Sequence, residues 1–171
     1  MEVIDIIGYT VPAIVTAGAS YYIMASFLKN DEKRRKFELL QEGQNTALPL
    51  RLQAYERMTL FLERISPNKI VMRIQPISEK KEDYLNLLVQ NIEQEFEHNL
   101  TQQIYLTKEC WNAILTTKNT TIHLLKKATA NVEVKNAQQL REEVLKLMIE
   151  GESPTTTGLA FLKNEVSMMM V

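Results

Sequence analysis

Residues 6–28 read IIGYTVPAIVTAGASYYIMASFL, twenty-three positions without an Asp, Glu, Lys, Arg or His. As a helix rising about 1.5 Å per residue, such a run extends roughly 34 Å, enough to cross a hydrocarbon core of about 30 Å. Small residues fill its first two thirds: Gly8, Thr10, Ala13, Thr16, Ala17, Gly18, Ala19 and Ser20. Tyr21, Tyr22 and Phe27 place aromatics toward the other end, where a membrane interface favours them. Pro12 lacks an amide hydrogen, which predicts a kink or a helix start at that point. A cleaved signal peptide is the competing reading, because Ala17-Gly18-Ala19 looks like a processing site. However, Glu2 and Asp5 precede the run where a signal peptide carries positive charge, and the apolar run continues past that site to Leu28. The expectation is a retained single span.

Its flanks set an orientation. Lys29, Lys33, Arg34, Arg35 and Lys36 follow the run within eight residues, and basic residues next to a span stay on the cytoplasmic side. The amino terminus is therefore expected outside, residues 29–171 in the cytoplasm, and those five side chains at the membrane surface with the lipid bilayer as partner. Within the span, Ala13 and Ala17 are four apart, as are Thr16 and Ser20. In lipid, small residues at that spacing let helix backbones approach closely. Assembly through this face, with a copy or another protein, is expected.

Beyond residue 28 the chain is one domain's worth of sequence. It carries all twenty Lys and Arg and all but two of the 21 acidic residues, a net charge near +1. So balanced a domain has no bulk attraction for nucleic acid. The single cysteine, Cys110, excludes an internal disulfide framework and fits a reducing compartment. Three regions follow: an anchor over 1–28, a basic juxtamembrane helix and linker over 29–47, and a helical domain over 48–171.

Apolar residues three and four apart predict helices through most of that domain. A juxtamembrane helix over 37–44 is expected to stop at Gly43, with a break at Asn45-Thr46. The next helix, 49–65, starts with Pro49 in its first turn and carries Leu52, Tyr55, Thr59 and Leu62 on one stripe. Ser66-Pro67 opens a short helix ending before Pro76. Ser78 is expected to cap a third helix, in which Tyr84, Leu88, Ile92 and Phe96 are spaced by four, running to about His98. Thr107 caps a fourth, to about Ala130, whose threonines at 116, 117, 120 and 121 must rely on packing. Asn136 and Gly151 bracket a fifth, and Ser153-Pro154 opens a last one. Residues 69–74, 102–106 and 132–134 compete as strands of a small sheet, since they are rich in β-branched or aromatic residues. The fold class expected is all-α.

Three stretches carry a resemblance: Leu50-Arg51-Leu52-Gln53-Ala54-Tyr55-Glu56-Arg57, Glu95-Phe96-Glu97-His98-Asn99-Leu100 and Gln102-Gln103-Ile104-Tyr105-Leu106. They resemble an uncharacterised bacterial family that pairs one amino-terminal transmembrane helix with a cytoplasmic helical domain. The resemblance implies the same architecture at a bacterial inner membrane, and implies no activity.

Chemistry-bearing motifs are sparse. Glu95 and His98 are three apart on one helical face, as in di-iron bundles, but the second histidine, His123, has Thr120 where the matching glutamate belongs. Two histidines and one cysteine do not make a structural zinc site. Cys110, near a helix amino terminus, reads as a reactive thiol or, more simply, as a buried inert one. No cofactor, metal or catalytic residue is implied. Charge is segregated: residues 48–74 hold Arg51, Arg57, Arg64, Lys69 and Arg73 against Glu56 and Glu63, whereas residues 79–98 are acidic. Neighbouring helices attracting each other would explain this. So would docking of a basic partner on Glu93, Glu95 and Glu97, which crowd the negative end of their helix, with Arg51, Arg57 and Arg64 as the basic counterpart. The function expected is a membrane-anchored scaffolding or accessory subunit working through protein–protein contacts. The alternative is a membrane-tethered enzyme or ligand-binding domain, which would need a concave site with converging polar groups.

Overall fold

A computed structural model describes residues 3–170, without the side chains of residues 3–13, 44 and 45. Among these residues six α-helices follow one another: α1 (Val3–Ile65), α2 (Pro67–Arg73), α3 (Lys81–Asn99), α4 (Lys108–Ala130), α5 (Ala137–Glu150) and α6 (Pro154–Met169). A 3-10 turn, Leu100–Ile104, links α3 to α4. No strand occurs among the described residues. The three candidate strands fall in α2, in the 3-10 turn and in the loop before α5, so the fold is all-α. The chain divides into two compact units between Leu48 and Pro49.

The span expected over 6–28 is corrected. Among the described residues no helix is long and apolar enough to cross a membrane. Side chains are described over residues 14–28 of that run. Thr16, Gly18, Ser20, Tyr21, Tyr22 and Ser26 dilute its apolar character, and Lys29 ends it within the same helix. The first part of the expected span, including Pro12 and Ala13, lies outside the described side chains. A single-pass inner-membrane protein with its amino terminus outside is therefore not supported. The membrane-surface role expected of Lys29, Lys33, Arg34, Arg35 and Lys36, and the packing in lipid expected of Ala13, Thr16, Ala17 and Ser20, presupposed that span.

The expected stop at Gly43, break at Asn45-Thr46 and new helix start at Pro49 are also absent, since α1 runs through all of them. Gly43 keeps an ordinary negative φ, and the Thr46 hydroxyl donates to the Glu42 carbonyl one turn back (2.9 Å). Proline inside a helix costs about 3 kcal/mol. Here the turns that follow Pro49 carry Ala54, Tyr55, Met58, Phe61, Leu62 and Ile65 into the core, which offsets that cost.

In the unit spanning 49–171, α4 is the central helix, in contact with α3, α5 and α6, while α5 also packs on α2 and α3. Thr107 caps α4 by accepting from the Cys110 amide (3.1 Å), and Asn136 caps α5 by accepting from the Gln139 amide (2.9 Å). Ser78 does not cap α3. The helix begins at Lys81, and Ser78 accepts from the Lys80 amide and donates to Asp83 instead. The buried threonines of α4 are tolerated because Thr117, Thr121 and Thr129 each donate to the carbonyl four residues back, at 2.8–2.9 Å. Among the described residues no buried side-chain polar atom lacks a partner, so the core is closed and fully paired.

Candidate functional site: an apolar groove between α1 and α6

The last turns of α1 and the carboxyl-terminal half of α6 form the walls of a groove of about 810 Å³. Leu52, Tyr55, Glu56, Thr59, Leu60 and Glu63 line one side, and Leu162, Lys163, Val166, Ser167 and Met170 the other. On α1 these positions recur every three or four residues, hence on one face. The buried stripe lies alongside, so the wall is the edge of the face that enters the core.

Gly158 sets how closely α6 approaches. A Cβ there would lie 2.5 Å from Thr117 Oγ1 and 3.0 Å from Leu62 Cδ1, closer than carbon and oxygen atoms tolerate. With hydrogen at that position, α6 seats against α4 and α1, Leu162 enters the core, and Val166 and Met170 run along the groove.

Glu165 then clips three elements together. Its Oε2 accepts from Tyr55 Oη (2.6 Å) and its Oε1 from Thr107 Oγ1 (2.5 Å), the same hydroxyl that caps α4. Burial first, then the hydrogen bond to this carboxylate, pushes the Tyr55 phenol up to about 12. Burial and the nearby Glu165 charge push the Cys110 thiol up to about 12 as well. A thiol so raised keeps its proton at neutral pH and is a poor nucleophile. The reactive reading of Cys110 has no support, and the cluster is a structural clip.

The sequence-singled charges are mostly used within the chain. Glu95 Oε1 accepts from Arg64 Nη2 (2.9 Å) and Arg73 Nη1 (3.2 Å). Glu93 receives the Lys118 ammonium on both oxygens (2.8 and 2.6 Å). Arg51 donates to the Tyr105 carbonyl (3.3 Å). Glu97 and Arg57 stay exposed and are not brought to this cluster. Lys118 was not legible beforehand: it is nearly buried in α4, with its ammonium 4.7 Å from the centre of the Phe96 ring. Phe96 in turn packs against Phe61 and Trp111. Glu95 is thus committed to arginines, His98 is exposed in the last turn of α3, and no three His, Cys, Asp or Glu come together among the described residues.

The groove itself was missed. One signal pointed to it, the apolar Leu60 lying off the buried stripe of α1 and 57% exposed.

A family model matches residues 1–169 of the chain, and its description is a family of unknown function, DUF7935. The chain belongs to this family. No curated protein and no solved structure matches it. Membership of DUF7935 therefore carries no activity or ligand to these residues, and the site rests on its own geometry.

Proposed function

We propose that this DUF7935 chain is a scaffolding or accessory subunit that works through protein–protein contacts, and that the α1–α6 groove is where a partner polypeptide docks. The observation that carries the reading is the groove's lining. Leu52, Leu60, Val166 and Met170 present apolar surface, while Glu56, Glu63 and Lys163 are charged groups on partly or fully exposed positions. Helix-in-groove recognition uses this arrangement, with apolar anchors in the floor and charges at the edges fixing register. An enzyme site would instead gather polar groups toward one point. Here the Tyr55 hydroxyl of the lining is turned to Glu165, and Glu63 is paired with Lys69.

Leu60→Asp and Met170→Asp test this, since both side chains are exposed and neither supports the core. Each variant is expected to keep the thermal transition of the parent and to lose the protein that co-purifies with the parent under native conditions. Retention of that protein by both variants would remove the groove from the function.

A further inference from the structure

The groove needs an occupant of matching length, pattern and charge, and the chain carries such a segment. Residues 29–40 of α1 are helical, and Lys29, Lys33, Lys36, Phe37 and Leu40 recur on one face at the spacing of successive turns. Of the other charges of this segment, all but Glu32 are already used. Arg34 Nε donates to Glu38 (2.8 Å) and Arg35 Nε to Asp31 (3.1 Å), both four residues away. The three lysines have no acidic partner among the described residues, and Phe37 and Leu40 are 67% and 68% exposed.

From this complementarity we infer that the groove takes residues 29–40 of a second copy of the chain, giving a homodimer. The inference rests on the docking reading above and names the partner. The α1 wall, from Leu52 to Glu63, and the segment from Lys29 to Leu40 each cover eleven residue steps, roughly 16 Å of helix. Phe37 and Leu40 supply the apolar anchors that Leu52, Leu60, Val166 and Met170 lack. Glu56 has no cation of its own among the described residues, and Glu63 has only the partly exposed Lys69; the lysine face of the incoming helix supplies the positive charge. A twofold axis lets each copy give its segment and receive the other's, so the assembly closes as a dimer.

Charge exchange in the purified full-length chain tests this, with mass measured by light scattering over a concentration series. The parent is expected to be a dimer. Lys33→Glu combined with Lys36→Glu should weaken dimerisation at least about tenfold, as should Glu56→Lys combined with Glu63→Lys, each with an unchanged circular dichroism spectrum. An equimolar mixture of the two double variants should dimerise again, because reversed segment and reversed groove then meet only across unlike chains. A parent chain that stays monomeric while Leu60→Asp still abolishes co-purification would overturn the second copy as occupant and leave the docking groove standing. A dimer that both charge variants leave intact, or a mixture that stays monomeric, would also overturn it.

Discussion

Leu39 and Leu62 stand on the same helix, α1, and differ in almost everything that stabilises a side chain. Leu39 is 69% exposed and Leu62 is 0% exposed, in the core with Phe61 and Ile65. The contrast holds for the units to which they belong. Through residues 14–43 every described side chain is exposed, and the named interactions are local ones such as Arg34–Glu38 and Arg35–Asp31. In the unit spanning 49–171, helices are tied by side chains far apart in sequence, as in Tyr55–Glu165 and Lys118–Glu93. The same secondary structure is thus maintained in one unit by backbone hydrogen bonds and in the other by burial, and apolar residues left uncovered in the first are available for association.

The largest effect expected is at Leu62. Leu62→Ala should lower stability by about 2–5 kcal/mol in urea unfolding, from lost burial and the cavity left behind. Leu39→Ala, the same chemical change on the same helix, should cost under about 0.5 kcal/mol. A cost at Leu39 near that at Leu62 would mean that residue 39 is covered in solution, breaking the contrast between the units.

Gly158→Ala comes next, at about 1–3 kcal/mol, because the added methyl overlaps Thr117 and cannot be accommodated without moving α6. Thr117→Ala in the same chain removes the overlapping atoms and should recover part of that loss. Thermal unfolding of the two single variants and the double one gives the coupling directly.

Alkaline pH offers a third measure. Tyr55 and Cys110 hold their protons more tightly in the folded chain, at about 12, than at their ordinary values of 10.0 and 9.0. The stability they contribute is therefore complete below about pH 9 and is lost as the pH rises toward about 12. Urea midpoints measured from pH 8 to 11 should fall over that window, and Tyr55→Phe should flatten the fall. The Cys110 thiol should also resist alkylation in the folded chain at pH 7.5 and react once urea unfolds it.

The smallest effect is expected at the rim of α3. Arg73→Ala should cost under about 1 kcal/mol and less still at high salt, because Glu95 keeps its contact with Arg64 and the pair is partly solvated.

Most of the helical pattern was legible because it rests on local chemistry. Thr107 and Asn136 cap their helices as their hydroxyl and amide groups dictate, and the four-residue spacing from Tyr84 to Phe96 gives α3 its inward face. The start of α3 and the continuity of α1 were not legible, since Ser78 found other partners and tertiary burial outweighed the breaking tendency of Gly43 and Pro49. The reading of residues 6–28 as a span rested on the charge-free run, its length as a helix and its aromatic and basic flanks. Among the described residues no helix is both long and apolar enough to cross a membrane.

The sequence by itself determined that the chain is all-α, where most helices start and stop, and which residues of each face inward, because propensity, capping and period act within a few residues. Only the tertiary structure decided the site. Gly158 against Thr117, Glu165 between Tyr55 and Thr107, and Leu60 beside Val166 and Met170 join positions more than forty residues apart. No local pattern specifies such neighbours, which exist only once α6 has closed against α4 and α1.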